Sequence, residues 1–515
     1  MIVLKKHVSI LFSCLFLMSA FCFLQTNSVR ADSNVIHVPS AEFPTIQDAI
    51  DSSVPGTVIL IAKGTYREHL SIVQSLSLIG EDRDTTIIDG ANANNVISIA
   101  ANSVVIDSLT VTKSSPQTFD TGITMDRVRG VSINNSKVTN IYTGLSFYSS
   151  SSNYISNSVI GNNTSGIVLL YSNNNTLSNN IFSGNAQGIS VAYSSLNTVA
   201  GNTFSNNSVG MVLASSSNRN YFFHNNIEDD VQVSAGSFNT WSRENEGNYW
   251  INYNHTGRDL NNDGIGDEPS RMDDGNLDYY PLMGTYAEHS VISGNAVFRI
   301  AVISNSTISG MKYGIGMETG NKMISFNVSG TNGTNSFCRI MIPTALMGPP
   351  FVVAGSTETI SASVLASSNA MNSYLYFSYP SEETAGSIVY SRELELYEKL
   401  LSEYTKLQTD LLGLNSTYQS MLANHTLDYQ TLLNKFNVLL ENFTSLQSNF
   451  LSLDASLQQS LLNQSESTQN FRNLTYVFAA LTAAFLITTV YLSSRLYAHK
   501  KPKTYSNEEE TFVSP

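Results

Sequence analysis

A glycine recurs at a spacing of 22 residues through the first half of the chain. The five positions are Gly122, Gly144, Gly166, Gly188 and Gly210. Between these glycines, apolar residues stand two positions apart and alternate with polar residues, which is typical of short strands. Runs of Gly, Asn and Ser between them indicate turns. A unit this small cannot bury its own apolar face, so the repeat predicts stacked coils that share one continuous core.

Aligning the chain on these glycines identifies the side chains expected in the core. Two sets stand one and three positions after the glycine: Ile123, Leu145, Ile167, Ile189 and Met211, then Met125, Phe147, Leu169, Val191 and Leu213. Two more stand eleven and sixteen positions after it: Ile133, Ile155, Leu177, Val199 and Tyr221, then Val138, Ile160, Phe182 and Phe204. In the fifth repeat the last position falls on Asn226, so the register slips there. We therefore predict a mainly β fold with about three strands in each coil.

A polar position also repeats inside the array. Asn153, Asn175 and Asn197 stand nine residues after successive glycines. Equivalent side chains of stacked coils lie ~4.8 Å apart, which allows a ladder of hydrogen-bonded amides at one turn. We predict a structural role for these asparagines.

The start of the array predicts a cap. The residues from Phe43 to Ile50 indicate a short helix with Ile46, Ala49 and Ile50 on one face. Strands broken by glycine follow it. A helix at this place would cover the open edge of the first coil, which otherwise exposes unpaired backbone groups.

The motifs of this region resemble two groups of β-helix proteins. Residues 35–90, with FPTIQDAI, PGTVILIAKGTYRE and LIGEDRDTTIIDG, resemble the opening of pectin-lyase-like β-helices. Residues 120–285, with GIVLLYSNNNTLSNNIF, GNYWINYNHTGRDLNNDGIGDEP and DYYPL, resemble the periplasmic copper-binding NosD family and its archaeal cell-surface relatives. The resemblance implies a right-handed parallel β-helix over residues 32–285 and, through NosD, a role in copper handling.

Acidic residues cluster after the last coil, and residues 259–267 match the first nine positions of an EF-hand-type calcium loop. The predicted ligands are Asp259, Asn261, Asp263, the backbone carbonyl of Ile265, and Asp267. Gly264 stands where such a loop turns sharply. Position twelve is Ser270 instead of a bidentate glutamate, so a further ligand would come from elsewhere, such as Asp273 or Asp274. The alternatives are a structural calcium ion and a solvated turn.

Both tryptophans fall in the same segment, together with four tyrosines: Trp241, Trp250, Tyr249, Tyr253, Tyr279 and Tyr280. Exposed, these rings would form a stacking platform for sugars. Buried, they would form an apolar lid over the last coil. We favour the lid, since exposed apolar area is costly.

The N-terminus predicts export. Lys5 and Lys6 precede an apolar run and a cleavage site, which indicates a signal peptide over residues 1–31, with a retained N-terminal anchor as the alternative. Losing Lys5, Lys6 and Arg30 with this segment changes the formal net charge from −14 to −17. So acidic a chain repels nucleic acid, which is therefore not an expected partner. Of the three cysteines only Cys338 would remain, which excludes an intrachain disulfide.

The C-terminus predicts an anchor. The run from Leu474 to Leu492 carries no charge, and basic residues follow it. Residues 474–494 therefore predict one transmembrane helix, and residues 495–515 predict a cytoplasmic tail. We expect the protein at the cell membrane, with everything before the span outside.

Two further parts are predicted between the β-helix and the membrane. Residues 296–391 lose the repeat and show alternating runs separated by Gly, Asn and Pro, which predicts a β-sandwich. Residues 392–472 carry apolar residues at helical spacing, with a change of phase near His425. Unbroken, they would form a coiled-coil stalk of about 120 Å. We expect two or three chains to pair through it as a homo-oligomer, with a folded-back hairpin of one chain as the alternative.

Asn-x-Ser/Thr sequons are frequent, and glycosylation at several is expected if the host modifies exported proteins. Those in the β-helix are Asn134, Asn162, Asn163, Asn174, Asn206 and Asn254.

Three functions are compatible with these features. The first, which we favour, is a non-catalytic surface module that binds a carbohydrate or a surface protein or supports the envelope. The second is a polysaccharide lyase or hydrolase, which needs two or three carboxylates on one sheet. Apart from the closing loop, the array offers such chemistry only in its first coil, at Asp120, Asp126, Arg127 and Arg129. The third is copper handling, although copper favours His, Met or Cys clusters and these residues are scattered here.

Overall fold

The computed structural model describes residues 35–112, 120–214, 216–234, 236–254, 257–316, 321–330, 336–355, 359–380, 385–390, 392–423 and 429–462. The predicted signal peptide (1–31), transmembrane helix (474–494) and cytoplasmic tail (495–515) lie outside these residues. Among the helices that are described, none is both long and apolar enough to cross a membrane. The chain divides into two compact units, one of residues 1–309, 328–343 and 363–382, and one of residues 310–327, 344–362 and 383–515.

Three parallel sheets run along the first unit and form a β-helix. The first has nine strands: β1 (Val35–Val38), β2 (Thr57–Ile61), β5 (Leu76–Gly80), β8 (Val105–Asp107), β11 (Ser132–Asn134), β14 (Tyr154–Ser156), β17 (Thr176–Ser178), β20 (Thr198–Ala200) and β23 (Tyr221–Phe223). The second has eight: β4 (Leu70–Ile72), β7 (Ile97–Ile99), β10 (Thr121–Asp126), β13 (Thr143–Tyr148), β16 (Ser165–Leu170), β19 (Gln187–Ala192), β22 (Val209–Leu213) and β25 (Val231–Val233). The third has nine: β3 (Gly64–Tyr66), β6 (Thr86–Asp89), β9 (Thr110–Thr112), β12 (Lys137–Thr139), β15 (Val159–Gly161), β18 (Ile181–Ser183), β21 (Thr203–Ser205), β24 (Asn226–Ile227) and β26 (Tyr249–Trp250). Each complete coil thus contributes one strand to each sheet, as the repeat predicted, while β1 and β26 extend the first and third sheets at their ends.

The repeated glycines lie where neighbouring backbones approach most closely. A Cβ added to Gly144 would stand 2.5 Å from the carbonyl oxygen of Gly166 in the next coil. One residue further, Leu145 pairs with Ile167 in the parallel register, and both side chains are buried in the core. Glycine therefore recurs every 22 residues because the backbones of neighbouring coils approach closely at this position. The apolar side chains that follow each glycine fill the interior, as predicted.

One predicted core residue is wrong. Tyr221 is 41% exposed, and its neighbour Phe222 is fully buried in its place. Phe222 pairs with Val199, which is 23 residues earlier, so the turn before β23 contains one additional residue. The same insertion places Ile227, and not Asn226, opposite Phe204 in the core. Because side chains alternate between the two faces of a strand, a one-residue shift exchanges the buried and the exposed positions.

A short helix, α1 (Ile46–Asp51), covers the first coil with Ile46, Ala49 and Ile50 buried, as predicted. Its N-terminal N–H groups are satisfied locally. The Thr45 side chain accepts from Asp48 N at 3.1 Å, and the Glu68 carboxylate accepts from Ile46 N and Gln47 N at 3.0 Å each. A carboxylate at this end also interacts favourably with the helix dipole.

The β-helix ends in a 4-residue helix, α2 (Ile251–Asn254), and a hairpin of β27 (Ser270–Asp273) and β28 (Asn276–Asp278). Two five-stranded sheets follow, in the region predicted as a β-sandwich. One is ordered β29 (Thr285–Ser293), β30 (Ala296–Ser304), β33 (Ser336–Pro343), β37 (Asn372–Tyr379) and β36 (Ala362–Val364). The other is ordered β31 (Thr307–Ile315), β32 (Lys322–Ser329), β38 (Ala385–Tyr390), β34 (Phe351–Ala354) and β35 (Thr359–Ile360). Cys338 lies fully buried in β33, and burial raises the pKa of its thiol.

Two long helices complete the second unit, α3 (Arg392–Ala423) and α4 (Tyr429–Leu462). They pack against each other, with the buried side chains of Tyr404 and Leu411 in one cluster with Phe443. The ring of Tyr404 also lies 6.4 Å from that of Phe450. The two helices therefore form a helical hairpin within one chain. This is the alternative to the unbroken stalk. The apolar stripes meet within one chain, and pairing between chains stays a prediction.

Candidate binding surface and acidic cap

Three tyrosines on successive coils form an exposed row, which we call the tyrosine stripe: Tyr148, Tyr171 and Tyr193. Tyr148 ends β13, and the other two directly follow β16 and β19. The side chains are 44%, 50% and 50% exposed, respectively. The rings of Tyr148 and Tyr171 meet edge to face at 6.1 Å, and those of Tyr171 and Tyr193 stack at 5.1 Å. Stacking of the coils thus aligns three aromatic rings on the surface.

The backbone under this stripe does not favour tyrosine. Tyr171 and Tyr193 have φ values of 54° and 50°, in the left-handed region. A residue with a Cβ costs about 1–2 kcal/mol there, and Gly or Asn is the usual occupant. In the neighbouring coil Ser149 adopts the same conformation, with a φ of 50°. The turn itself therefore does not require an aromatic side chain, which makes the two tyrosines candidates for a function.

Neutral polar side chains surround the stripe. In the same turns Asn174 Nδ2 donates to Ser152 Oγ at 3.0 Å, and Asn173 Oδ1 accepts from Ser195 N at 2.7 Å. Between residues 131 and 225 the sequence contains only three residues that can carry charge: Lys137, Arg219 and His224. The surface of these coils is consequently polar but almost free of charge.

Inside the coils the predicted asparagine ladder is confirmed. Asn153 donates through both its backbone N and its Nδ2 to Asn175 Oδ1, at 3.0 Å each. Asn175 makes the same pair of bonds to Asn197, at 2.8 and 3.1 Å. The ladder continues through Asn220 and Asn239. All three predicted members are buried, so a buried amide joins each coil to the next.

Two further ladders that contain asparagine escaped the sequence analysis. One runs through Ser136, Ser158, Asn180, Asn202, Asn225 and Asn248. The other runs through Asn163, Asn185 and Asn207. Most of their members repeat at the 22-residue spacing of the glycines, for example from Asn163 to Asn185, so the signal was present in the sequence. The steps from Asn202 to Asn225 and from Asn225 to Asn248 span 23 residues. One sequon residue belongs to this ladder: the Asn163 side chain is 4% exposed and donates to Asn185 Oδ1, so it is not accessible to a glycan in the folded chain.

Acidic side chains terminate two of the ladders. Asp278 Oδ2 accepts from Asn248 N at 2.7 Å and from Trp250 Nε1 at 2.9 Å, and Asp278 Oδ1 accepts from Tyr280 N at 3.1 Å. Asp229 accepts from Asn207 N at 3.1 Å and from Asn207 Nδ2 at 2.6 Å. The last side chain of such a ladder accepts hydrogen bonds but has no following side chain to which it could donate one. A carboxylate suits this position, because it accepts hydrogen bonds and has no N–H group that would be left unpaired. Burial raises the pKa of Asp278 to about 6 despite these hydrogen bonds.

The tryptophans form a lid, as we favoured. Trp241 is 1% exposed and stacks on Phe222, with ring centroids 4.5 Å apart. Its Nε1 donates to Asn276 Oδ1 at 3.1 Å, and Asn276 also ends the first ladder by accepting from Asn239 N. Trp250 is 8% exposed. These two rings seal the end of the core, whereas Tyr279 and Tyr280 of the same predicted set are 59% and 38% exposed.

The predicted calcium loop adopts a tight turn. Asp259 Oδ1 accepts from Asp263 N at 3.0 Å, and Asp259 Oδ2 accepts from Gly264 N at 2.8 Å. Asp267 Oδ2 accepts from Leu260 N at 2.6 Å. Gly264 has a φ of 82°, as the sharp turn requires, and burial raises the pKa of Asp259. Within the described residues no three His, Cys, Asp or Glu side chains form a group that could hold a metal ion, and calcium stays a prediction.

An ion pair that sequence reasoning missed holds this loop to β33. Arg339 donates to Glu246 Oε1 at 2.7 Å and to the backbone oxygen of Asp263 at 2.8 Å. His224 Nε2 lies 2.9 Å from Glu246 Oε2. Burial alone would raise the pKa of Glu246, but the hydrogen bond with His224 and the charge of Arg339 bring that pKa below its ordinary value. No spacing in the sequence signals this contact, because Glu246 and Arg339 are 93 residues apart.

A cleft of about 220 Å³ opens beside the acidic cap. Its lining includes Asp229, Asp230, Trp250, Tyr253 and Arg271. Of the two aspartates, Asp229 ends a ladder and Asp230 is exposed. The lining of the cleft therefore includes one accessible carboxylate, that of Asp230, and the guanidinium group of Arg271, which pairs with Asp274.

Comparison with known proteins identifies the β-helix. The family model described as periplasmic copper-binding protein (NosD) matches residues 52–255. This region is a NosD-like right-handed parallel β-helix. A search of curated proteins found no match to the chain.

Several solved structures are similar to this chain at low identity. An alginate lyase from Paenibacillus sp. str. FPU-7 is 14% identical, with a TM-score of 0.35 over 42% of this chain and 95% of its own. The pectin methylesterase from Aspergillus niger is also 14% identical, with a TM-score of 0.33 over 44% of this chain and 89% of its own. Tailspike protein 2 of bacteriophage CBA120 is 12% identical, with a TM-score of 0.29 over 69% and 79%, respectively. Such likeness extends to the fold alone.

The side chains present do not fit the copper ion that the NosD description suggests. His69 Nδ1 lies 2.8 Å from the backbone oxygen of Asn95, and His224 is engaged with Glu246. Cys338 is fully buried. Copper is held by clusters of such donors. Since the described His, Cys, Asp and Glu side chains form no group that could hold a metal ion, we derive no step through copper.

Proposed function

We propose that this protein is an exported, membrane-anchored β-helix module that binds a ligand outside the cell without changing it chemically. The ligand class at this level is a carbohydrate or the surface of a protein. One observation carries the proposal. The buried carboxylates at the acidic cap are engaged in holding the fold together, while the coils present a neutral, accessible surface with exposed aromatic rings.

The engagement of the carboxylates argues against catalysis at the cap. Cleavage of a glycosidic bond needs two carboxyl groups that reach the bond from either side. Asp278 is fully buried and accepts hydrogen bonds from Asn248, Trp250 and Tyr280. Asp229 accepts two from Asn207, and Glu246 is paired with Arg339. A group held in this way cannot exchange protons with a substrate without breaking the cap.

The cleft supports a second candidate, a carbohydrate-active enzyme. Asp230 is exposed on its wall, and Arg271 could bind an anionic sugar beside it. This candidate makes a distinct prediction, namely that bound glycan is shortened or otherwise altered.

A structural calcium ion in residues 259–267 is part of the proposal. The hydrogen bonds that the Asp259 carboxylate accepts from the backbone N–H groups of Asp263 and Gly264 shape the loop. Asp263 and Asp267 stand at ligand positions of the motif. The ion would fix the loop that Arg339 also holds.

Two measurements on the full-length protein test the proposed function. In the first, a glycan and surface-protein array is probed with the detergent-solubilised chain, and bound glycans are recovered for mass spectrometry. We expect recovered ligand of unchanged mass, whereas time-dependent shorter products would favour the enzyme. In the second, protease is added to intact cells. Degradation of the β-helix is expected, and protection of it together with cytosolic markers would contradict export.

A further inference from the structure

The tyrosine stripe has properties that the fold does not explain. Its three rings stand on three successive coils, and the spacing of the coils brings them to 6.1 and 5.1 Å from one another. They form a strip of aromatic surface that runs parallel to the β-helix axis, because equivalent positions of stacked coils lie above one another. At 44–50% exposure, about half of the surface of each of these three residues is accessible to solvent.

The backbone provides a second, independent observation. Tyr171 and Tyr193 occupy left-handed positions, where tyrosine is disfavoured and where the neighbouring coils carry Ser149 and Arg127 with φ values of 50° and 56°. The chain therefore tolerates small or polar residues at this corner. Large aromatic side chains stand there twice in a row, which indicates that they are kept for a contact outside the fold.

The surroundings select the chemistry of the contact. Aromatic rings combine a flat apolar face with a polar edge, which matches the alternating apolar faces and hydroxyl groups of sugars. Exposed amides and hydroxyls of the same turns, such as Asn174 and Ser152, can bond to those hydroxyls. The charged residues nearest in register, Asp126 and Arg127, neutralise each other through two hydrogen bonds of 3.0 and 3.1 Å.

Charge and size both favour a neutral polymer of sugars over the alternatives. An anionic glycan would approach a chain whose formal net charge is −14, without a free cationic group at the stripe. A folded protein partner typically needs about 800 Å² of complementary surface on each side, more than three half-exposed rings supply. A linear glycan needs only a narrow strip of surface.

We propose that Tyr148, Tyr171 and Tyr193 form the binding site of a neutral linear glycan that lies along the β-helix axis. The inference rests on the proposed function and specifies its ligand. The central residue, Tyr171, contacts both other rings and contributes most. Binding needs no metal ion and leaves the glycan unchanged.

Affinity electrophoresis of the full-length protein in native detergent gels tests this site. The gels contain one neutral polysaccharide each, chosen from β-1,3-glucan, mannan, xylan and dextran, or one anionic polysaccharide, alginate or polygalacturonate. We expect at least one neutral polymer to retard the wild type, and no retardation by the anionic ones. Retardation only by anionic polymers, or by none of the six, would overturn the glycan assignment, even if the array shows that a protein ligand binds.

Three variants separate the stripe from the rest of the surface. Tyr171→Ala should weaken the apparent affinity at least tenfold. Tyr171→Asn should weaken it equally while the melting temperature stays the same or rises, because asparagine tolerates the left-handed backbone. Tyr154→Ala, which removes a tyrosine that is 52% exposed outside the stripe, is the matched control and should bind as the wild type. Unchanged binding by both Tyr171 variants would reject the stripe, while the proposed function would stand on the remaining glycan binding.

Discussion

Buried asparagines connect the coils of this protein through two hydrogen bonds at each step. Asn175, for example, directs its backbone N and its Nδ2 to the same oxygen of Asn197. Such a side chain is both donor and acceptor, so it can be repeated without leaving a polar group unpaired. The ladder stabilises the fold only when every buried donor has an acceptor, since a buried donor without one lowers the free energy of unfolding by about 1–3 kcal/mol.

Asn197→Ala tests this arrangement. The change removes the acceptor of Asn175 N and Nδ2 and should lower the free energy of unfolding by about 2–5 kcal/mol. Urea unfolding followed by circular dichroism measures it. Asn206→Gly is the control, because Asn206 is exposed with a φ of 58°, and a change within about 0.5 kcal/mol is expected. Equal effects of the two substitutions would contradict a structural ladder.

Asp278 should make stability depend on pH. Burial raises its pKa in the folded state to about 6, above the value of about 3.9 that an unfolded aspartate has. The folded state therefore binds this proton more tightly, so the stabilising contribution is complete below about pH 4 and is lost as the pH rises through about 6. Asp278→Asn removes this dependence.

Urea midpoints of the wild type and of Asp278→Asn, measured from pH 4 to 7, check this prediction. The difference between the two proteins should change across that window. Asp230→Asn, at an exposed neighbour on the same cap, serves as the control. Parallel curves for Asp278→Asn and the wild type would show that the carboxylate does not titrate as the structure implies.

At the scale of elements, the second sheet of the β-helix depends on glycine. A Cβ on Gly166 would meet the carbonyl oxygen of Gly188, which is backbone held in β19 and cannot move away. We expect Gly166→Ala to destabilise the β-helix by about 1–3 kcal/mol, measured by urea unfolding. Gly413→Ala is the matched control, because a Cβ there meets nothing within 4 Å and alanine favours helix α3. Comparable destabilisation by both changes would refute the close-approach argument.

The helical hairpin makes a prediction of its own. Tyr404 and Phe443 face each other, with ring centroids 5.4 Å apart. In a Tyr404→Cys, Phe443→Cys variant a short bismaleimide should therefore link the two helices within one chain. Non-reducing and denaturing gels after protease cleavage between the helices report the link. Tyr404→Cys with Val438→Cys is the control, since Val438 is 58% exposed. Links found only between chains would favour the paired rod instead.

At the scale of the whole molecule, the calcium proposal predicts a change in melting temperature. A ligand that binds only the folded state stabilises it by about 2.7 kcal/mol at a hundredfold excess over its Kd. The full-length protein should therefore melt higher in calcium than in EDTA, as measured by differential scanning fluorimetry. Asp259→Asn should abolish most of this difference, while Asp230→Asn, at an exposed carboxylate outside the loop, should retain it. An equal calcium shift in both variants would contradict a site at residues 259–267.

Much of the β-helix could be predicted from the sequence. Parallel coils place equivalent positions above one another, so the residue types at Gly144, Leu145 and Asn175 recur in neighbouring coils. A single spacing therefore indicates the close approach of the backbones, the core positions and the asparagine ladder. The two missed ladders follow the same rule. The candidate site was harder to predict from the sequence. The tyrosines of the stripe shift by one position between Tyr148 and Tyr171, and the spacing of residues does not reveal the left-handed backbone of Tyr171 and Tyr193.

By itself, the sequence determined which side chains face the interior of the regular coils and that one short helix covers the first of them. The tertiary structure alone decided the rest: the inserted residue that exchanges Tyr221 for Phe222, the carboxylates that end the ladders, and the reach of Arg339 to Glu246. It also decided that helices α3 and α4 fold back on each other. The reason is physical. Periodicity describes neighbours that recur at a fixed separation, whereas these contacts join segments whose separation in the chain occurs only once.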